Sequence, residues 1–172
     1  MSEDLFLKST YYEKLVEHVF ISEILQEVWY RHEKTVEVLR SEVDASGFDV
    51  VLECENVMRH IQLKTSRAES KTSRQPINIA LAQKPGGCVV WLVRSEDRAS
   101  HRMTLDYLYF GGGPGEPLSR LHDFPIGRRT RVSASGERHQ RPAIREVPKK
   151  AFRELTISEL AVHLFGVNAS NI

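Results

Sequence analysis

The chain has 172 residues, 41% of them hydrophobic and 27% charged, which is long enough for one domain with a sizeable core and short for two. No basic start leads into an apolar segment, and no apolar run approaches the roughly 18 residues of a membrane span. A secretory leader and a membrane helix are therefore not expected, and a cytoplasmic protein is the default.

The formal net charge of +1 covers an uneven distribution. Residues 1–62 hold six Lys/Arg against thirteen Asp/Glu, leaving eighteen against ten for residues 63–172. A basic C-terminal portion suggests a polyanionic partner, or a neutraliser of the acidic first helix. Cys54 and Cys88 fall in expected strands without a CxxC partner and read as buried free thiols.

In chain order, Thr10-Tyr-Tyr-Glu13 has a capping-box pattern and predicts a helix running to about Arg31. Leu15, Val16, Val19, Phe20, Ile24, Val28 and Trp29 form its apolar stripe, with Glu23 at the margin one turn from Val19 and from Glu27. Thr35 to Ser41 reads as a strand, and Glu42 to Gly47 as a connection. A hairpin follows, then a polar loop Arg67 to Gln75. A short helix is expected over Pro76 to Gln83, stopped by Lys84-Pro-Gly-Gly87.

Cys88 to Val93 is continuously apolar, as in a central strand covered on both faces. His101 to Phe110 reads as another strand. Gly111 to Gly115 is a flexible turn, because Glu116-Pro117 stands where a phosphate-binding loop needs Lys-Ser/Thr. Arg128 to Arg153 carries nine Lys/Arg against Glu137 and Glu146 and reads as extended chain, with Ala143 to Val147 a candidate strand. Thr156-Ile-Ser-Glu159 is a second capping box, opening a helix Ile157 to Phe165 that Gly166 stops.

The hairpin carries the chemistry. Phe48 to Cys54 and Val57 to Thr65 alternate around a Glu55-Asn56 turn, so Cys54 faces Val57 and Asp49 stands opposite Gln62. Asp49 and Val51 then share a face with His60, Gln62 and Lys64, while Phe48, Val50, Leu52, Ile61 and Leu63 form a buried underside. A polar corner of this kind suits a metal site at a sheet edge. His60 reads as a surface imidazole.

Gly-Phe-Asp49, a turn, then Ile61-Gln-Leu-Lys-Thr65 resembles the PD-(D/E)xK phosphodiesterase superfamily, in the branch of Mrr-type and Holliday-junction-resolvase-like proteins where Gln often replaces the second acid. The resemblance covers the first helix to about Arg94. It implies an α/β restriction-endonuclease-like fold: a mixed sheet, with an antiparallel hairpin and further strands, flanked by helices. The whole of 1–172 forms one domain, with a core at about 10–94 and a basic extension at about 95–172.

The resemblance further implies a Mg²⁺-dependent nuclease, with Mn²⁺ as a substitute. Asp49, the Gln62 side-chain oxygen, the Leu63 carbonyl and Glu23 would be the metal ligands, and Lys64 would hold the attacking water against the phosphate. Glu27 is the alternative helix acid, and Glu17 a more distant one. An amide at Gln62 removes one negative charge and makes one-metal chemistry the expectation.

Nucleic acid, DNA first, is the expected partner. Arg67, Lys71 and Arg74 in the loop and Arg128, Arg129, Arg131, Arg141 and Arg145 in the basic segment are the phosphate contacts. A homodimer is open, and no small-molecule substrate is evident. Two other readings stand beside the nuclease: a nucleic-acid-binding module that keeps the fold without cutting, and a subunit docking on an acidic protein.

Overall fold

The computed structural model describes residues 3–40, 47–97, 99–128 and 139–167. Helix α1, Glu3–His32, contains no Gly or Pro. It begins a full two turns before Thr10, because nothing in that segment opposes helix. Val16, Phe20, Ile24 and Val28 are at most 1% exposed, a row at i, i+4 spacing that faces the sheet, with Ile21 beside it in the same core. Leu15 and Trp29, expected in the stripe, sit one residue off that row and are 38% and 55% exposed.

Strands β1 (Glu37–Leu39), β2 (Val50–Cys54) and β3 (Val57–Arg67) form an antiparallel meander. The hairpin register is the expected one: Cys54 pairs with Val57 and Val50 with Ile61, around a Glu55-Asn56 turn in which Glu55 holds φ 53°. The chain then crosses over and returns as β5 (Cys88–Asp97), parallel to β3 with Ile61 beside Cys88 and Arg67 beside Arg94. The crossover holds strand β4 (Arg74–Asn78) and a 3₁₀ turn, Ile79–Gln83, where one short helix is expected from Pro76. Pro76 biases Gln75 towards extended backbone, and the Asn78 side chain accepts from the Ala80 amide at 3.0 Å, so the helical turn starts only there.

Strand β6 (Arg102–Gly111) pairs antiparallel with β5, and β7 (Ile126–Arg128), β8 (Gln140–Pro148) and β9 (Arg153–Leu155) follow. Helix α2, Ile157–Phe165, opens with the expected capping box and ends at Gly166 in the left-handed region. The strands make a six-stranded mixed sheet, β1-β2-β3-β5-β6-β9, and a three-stranded sheet, β4-β8-β7. The protein is thus a mixed α/β fold with two α-helices among its described residues. Residues beyond 94 are woven into it, since β6 and β9 belong to the large sheet.

The large sheet is buried on both faces. Against α1 and α2 it presents Val50, Leu52, Ile61, Val90 and Leu92. Against the small sheet it presents Val89, Trp91 and Leu108, packed on Ile77, Leu81, Val147 and Phe152. Residues 88–92 of β5 alternate between the two cores and are at most 1% exposed, which accounts for their unbroken apolar run. Cys54 and Cys88 are free and buried. No described helix is long and apolar enough to cross a membrane.

Candidate active site

Asp49 stands just outside the β2 ladder, one residue before Val50. Its amide donates to the Ile61 carbonyl at 2.9 Å, and its Oδ2 accepts from the Leu63 amide at 2.6 Å. The backbone turns at this point after Gly47, which holds φ 75° and leaves a Cβ only 3.0 Å from Asn78, so glycine is required there. The turn breaks the alternation of the strand. Phe48, expected on the buried underside with Val50, joins the opposite core and packs edge-on against His60, centroids 4.9 Å apart. His60 is half-buried and its Nδ1 lies 2.7 Å from the Pro85 carbonyl, so it is occupied in tying the hairpin to the turn before β5.

Where β2 leaves β3, a cavity of about 340 Å³ opens, lined by Asp49, Leu63, Lys64 and Thr65. The α1 side contributes Glu13, Lys14 and Glu17, and β4 contributes Gln75. Glu17 is 6% exposed, with Lys14 Nζ at 2.7 Å and Arg40 Nη2 at 3.0 Å. Two cations therefore hold that carboxylate against the sheet. Gln75 is equally enclosed, at 6% exposure.

Gln62 lies beside Val89 in the parallel pairing, and Lys64 beside Trp91. The Gln62 Oε1 is buried and has no hydrogen-bond partner among the described residues. An unpartnered enclosed oxygen is costly unless something occupies it.

Glu23 is elsewhere. It sits about 9 Å further along the helix axis than Glu17, at 1.5 Å per residue, over β6. The Tyr107 hydroxyl donates to its Oε2, and it lines a separate cavity with Leu105, Asp106 and Thr156. Burial pushes its carboxyl above the ordinary value. Glu27 is bridged to Arg31 at 2.7 Å and is also outside the Asp49 cavity. The helix acids brought to Asp49 are Glu13 and Glu17, so the choice of Glu23 is corrected. The stripe fixes which side of α1 faces the sheet, but not how far along it the helix is set down, and that offset decides which acid meets Asp49.

The basic residues divide into groups. Arg67 ends β3 and shares a cavity with Arg94, Glu69 and Ser70. Lys71 is exposed beyond it. Arg74 opens β4, next to Gln75, and faces a cavity with Arg128 and Glu146 on the small sheet. Arg141 is exposed on β8. Arg145 is turned onto its own strand, donating to the carbonyls of Pro142 at 2.7 Å and Ile144 at 3.1 Å. Arg129 and Arg131 lie outside the described residues.

The cavity's acids, Asp49, Glu13 and Glu17, are oxygen donors, the ligand type that hard divalent cations take. Among the described residues no three His, Cys, Asp or Glu side chains form a group that could hold a metal ion; of the expected ligands Asp49 and Leu63 line this cavity and Gln62 does not, so a cation here would lean on Asp49, the Leu63 carbonyl and a helix acid. Compared with family models, with curated proteins and with solved structures, the chain matches none.

Proposed function

We propose that the chain is a divalent-metal-dependent endonuclease of the PD-(D/E)xK type, with a restriction-endonuclease-like core, hydrolysing phosphodiester bonds in DNA. The observation that carries this reading is the shared cavity of Asp49 and Lys64; the unpartnered Gln62 oxygen lies on β3 two residues before Lys64, outside the residues that line that cavity. The element order supports it: a helix, an antiparallel three-strand meander, a crossover and a strand parallel to the third.

Mg²⁺ bound there would supply a polarised water and charge relief at the phosphate. The chain's own residues do the rest. Asp49 is held in place by the Leu63 amide, and the Lys64 ammonium stabilises negative charge developing on the phosphate. Arg67, Lys71 and Arg74 follow the site strand directly and grip the backbone of the substrate, giving affinity with little sequence choice.

Incubation of plasmid DNA with the protein in Mg²⁺ or Mn²⁺, beside Asp49→Ala and Lys64→Ala, tests the reading. Cleavage that both substitutions abolish supports it, and cleavage indifferent to both refutes it. The neutral amide at Gln62 favours a second reading, a module that binds DNA without cutting. DNA binding that EDTA leaves unchanged, with no cleavage in either metal, selects that one.

A further inference from the structure

Beyond the far end of the β5–β6 ladder from Leu92, where Cys88 pairs with Gly111, lies a larger cavity of about 870 Å³. It opens between the end of β6, the Gly111–Gly115 turn and the 3₁₀ turns Leu121–Asp123 and Lys149–Ala151. Its size is in the range of small-molecule sites. The inner wall is apolar and aromatic: Phe110, Leu118 and Phe124 line it, with the Phe110 ring edge-on to Phe124 at 5.7 Å.

The glycine side of the cavity is held from beneath. Arg59, with no exposed surface, donates to the carbonyls of Gly113 at 2.6 Å and Gly112 at 2.9 Å, and to the Tyr109 hydroxyl. The turn expected to be flexible is thus pinned to the hairpin, and the cavity has a fixed wall.

Charge divides the rim. Arg120 reaches Asp123 at 3.3 Å, and Glu116 accepts the Gly113 amide at 2.7 Å, so those groups are committed. Lys150 and Arg153 also line the cavity, and among the described residues neither has a carboxylate partner; Arg153 meets the His163 ring. Two cations beside an aromatic wall call for a ligand that is both flat and anionic. An apolar ligand would leave the cations unmatched, and a simple anion would leave the aromatic wall uncovered.

We propose that this cavity binds a nucleotide, with the base against Phe110 and Phe124 and the phosphate on Lys150 and Arg153. Aromatic surface takes any base face, and ammonium and guanidinium groups take phosphate oxygens. The unit is either a free nucleotide or an unstacked nucleotide of a single strand. The inference stands on the cavity's own residues and does not depend on cleavage at Asp49.

Calorimetric titration of the full chain in EDTA with 5′-dAMP, deoxyadenosine and a single-stranded oligodeoxyadenylate tests it. Binding of dAMP is expected, with deoxyadenosine about tenfold weaker or worse. Lys150→Glu and Arg153→Glu should each weaken dAMP about tenfold, and Phe124→Leu, which keeps apolar bulk, about fivefold. Asp49→Ala should change nothing. Circular dichroism checks that each variant is folded.

Mononucleotide binding without oligonucleotide binding identifies the free nucleotide as the ligand. Tighter oligonucleotide binding that dAMP displaces identifies the strand. No binding of either to the wild type overturns the proposal, as does binding that folded Lys150→Glu and Arg153→Glu variants leave unchanged.

Discussion

The Leu63 amide donates to the Asp49 carboxylate at 2.6 Å, so one side chain both continues the hairpin's bonding and stands on the wall of the candidate site. These two roles separate by substitution. Asp49→Asn keeps an acceptor for Leu63 and should retain wild-type stability while losing cleavage. Asp49→Ala loses both, at a stability cost of about 1 kcal/mol. Urea denaturation read beside the plasmid assay distinguishes the two variants; equal destabilisation by both would show that the hydrogen bond does not hold Asp49.

Glu17 and Glu23 should respond differently. Glu17→Gln removes a carboxylate from the Asp49 cavity, and its cleavage rate should fall by about tenfold or more, as for groups supporting a metal site. Glu23→Gln changes a group bonded to Tyr107 over another cavity and should cut at the wild-type rate. The reverse ranking in Mg²⁺-dependent rates would restore Glu23 to the site.

Glu23 also predicts a pH effect on stability. Burial raises its folded pKa above the ordinary 4.5, so the folded chain holds this proton more tightly than the unfolded chain. The stabilising contribution is full below about 4.5 and is lost as pH rises through the raised value. Glu23→Gln should therefore gain on the wild type at neutral pH, with the difference closing in acid. Thermal midpoints compared at pH 4 and pH 7 measure this, and a gap that widens in acid contradicts it.

Arg59 carries a structural prediction. It is fully buried and bonded to the Gly112 and Gly113 carbonyls. Arg59→Met strands those acceptors and leaves space unfilled, a loss of about 2–4 kcal/mol. Denaturation midpoints within error of the wild type would show that the Gly-rich turn is held by other contacts.

The two halves of the basic surface should differ in DNA binding. Arg74→Ala is expected to weaken binding across sequences and lower the slope of log affinity against log salt by about one. Arg145→Ala should leave that slope unchanged, because its guanidinium already donates to Pro142 and Ile144. Gel-shift titrations over a salt series compare them directly.

What was readable in the sequence was local. The Cys54–Val57 register, the Thr156 capping box and the doubly covered β5 follow from turn chemistry, capping and the period of two, each complete within about ten residues. Phe48 was misplaced because alternation was carried through a backbone turn that only the packing of Gly47 against Asn78 reveals. Strand β4 was missed because its pairing with β8 joins segments about seventy residues apart, Arg74 to Pro148. Glu13 and Gln75 at the Asp49 cavity leave no local signal for the same reason, and Glu17 stands last among the expected helix acids although it is the one of them that lines that cavity. Helix setting and crossover path are fixed by the two cores, and no short spacing records them.

The three-residue edge strand β1 has a dynamic consequence. It pairs with Val51, Leu52 and Glu53 and stops short of Val50, while β3 is bonded on both sides by β2 and β5. Amide hydrogen exchange should therefore be slower along β3 and β5 than in β1, since local opening starts where the fewest bonds must break. The Asp49 corner thus stands beside the less supported edge of the large sheet, while Leu63, which holds its carboxylate, stands on an inner strand.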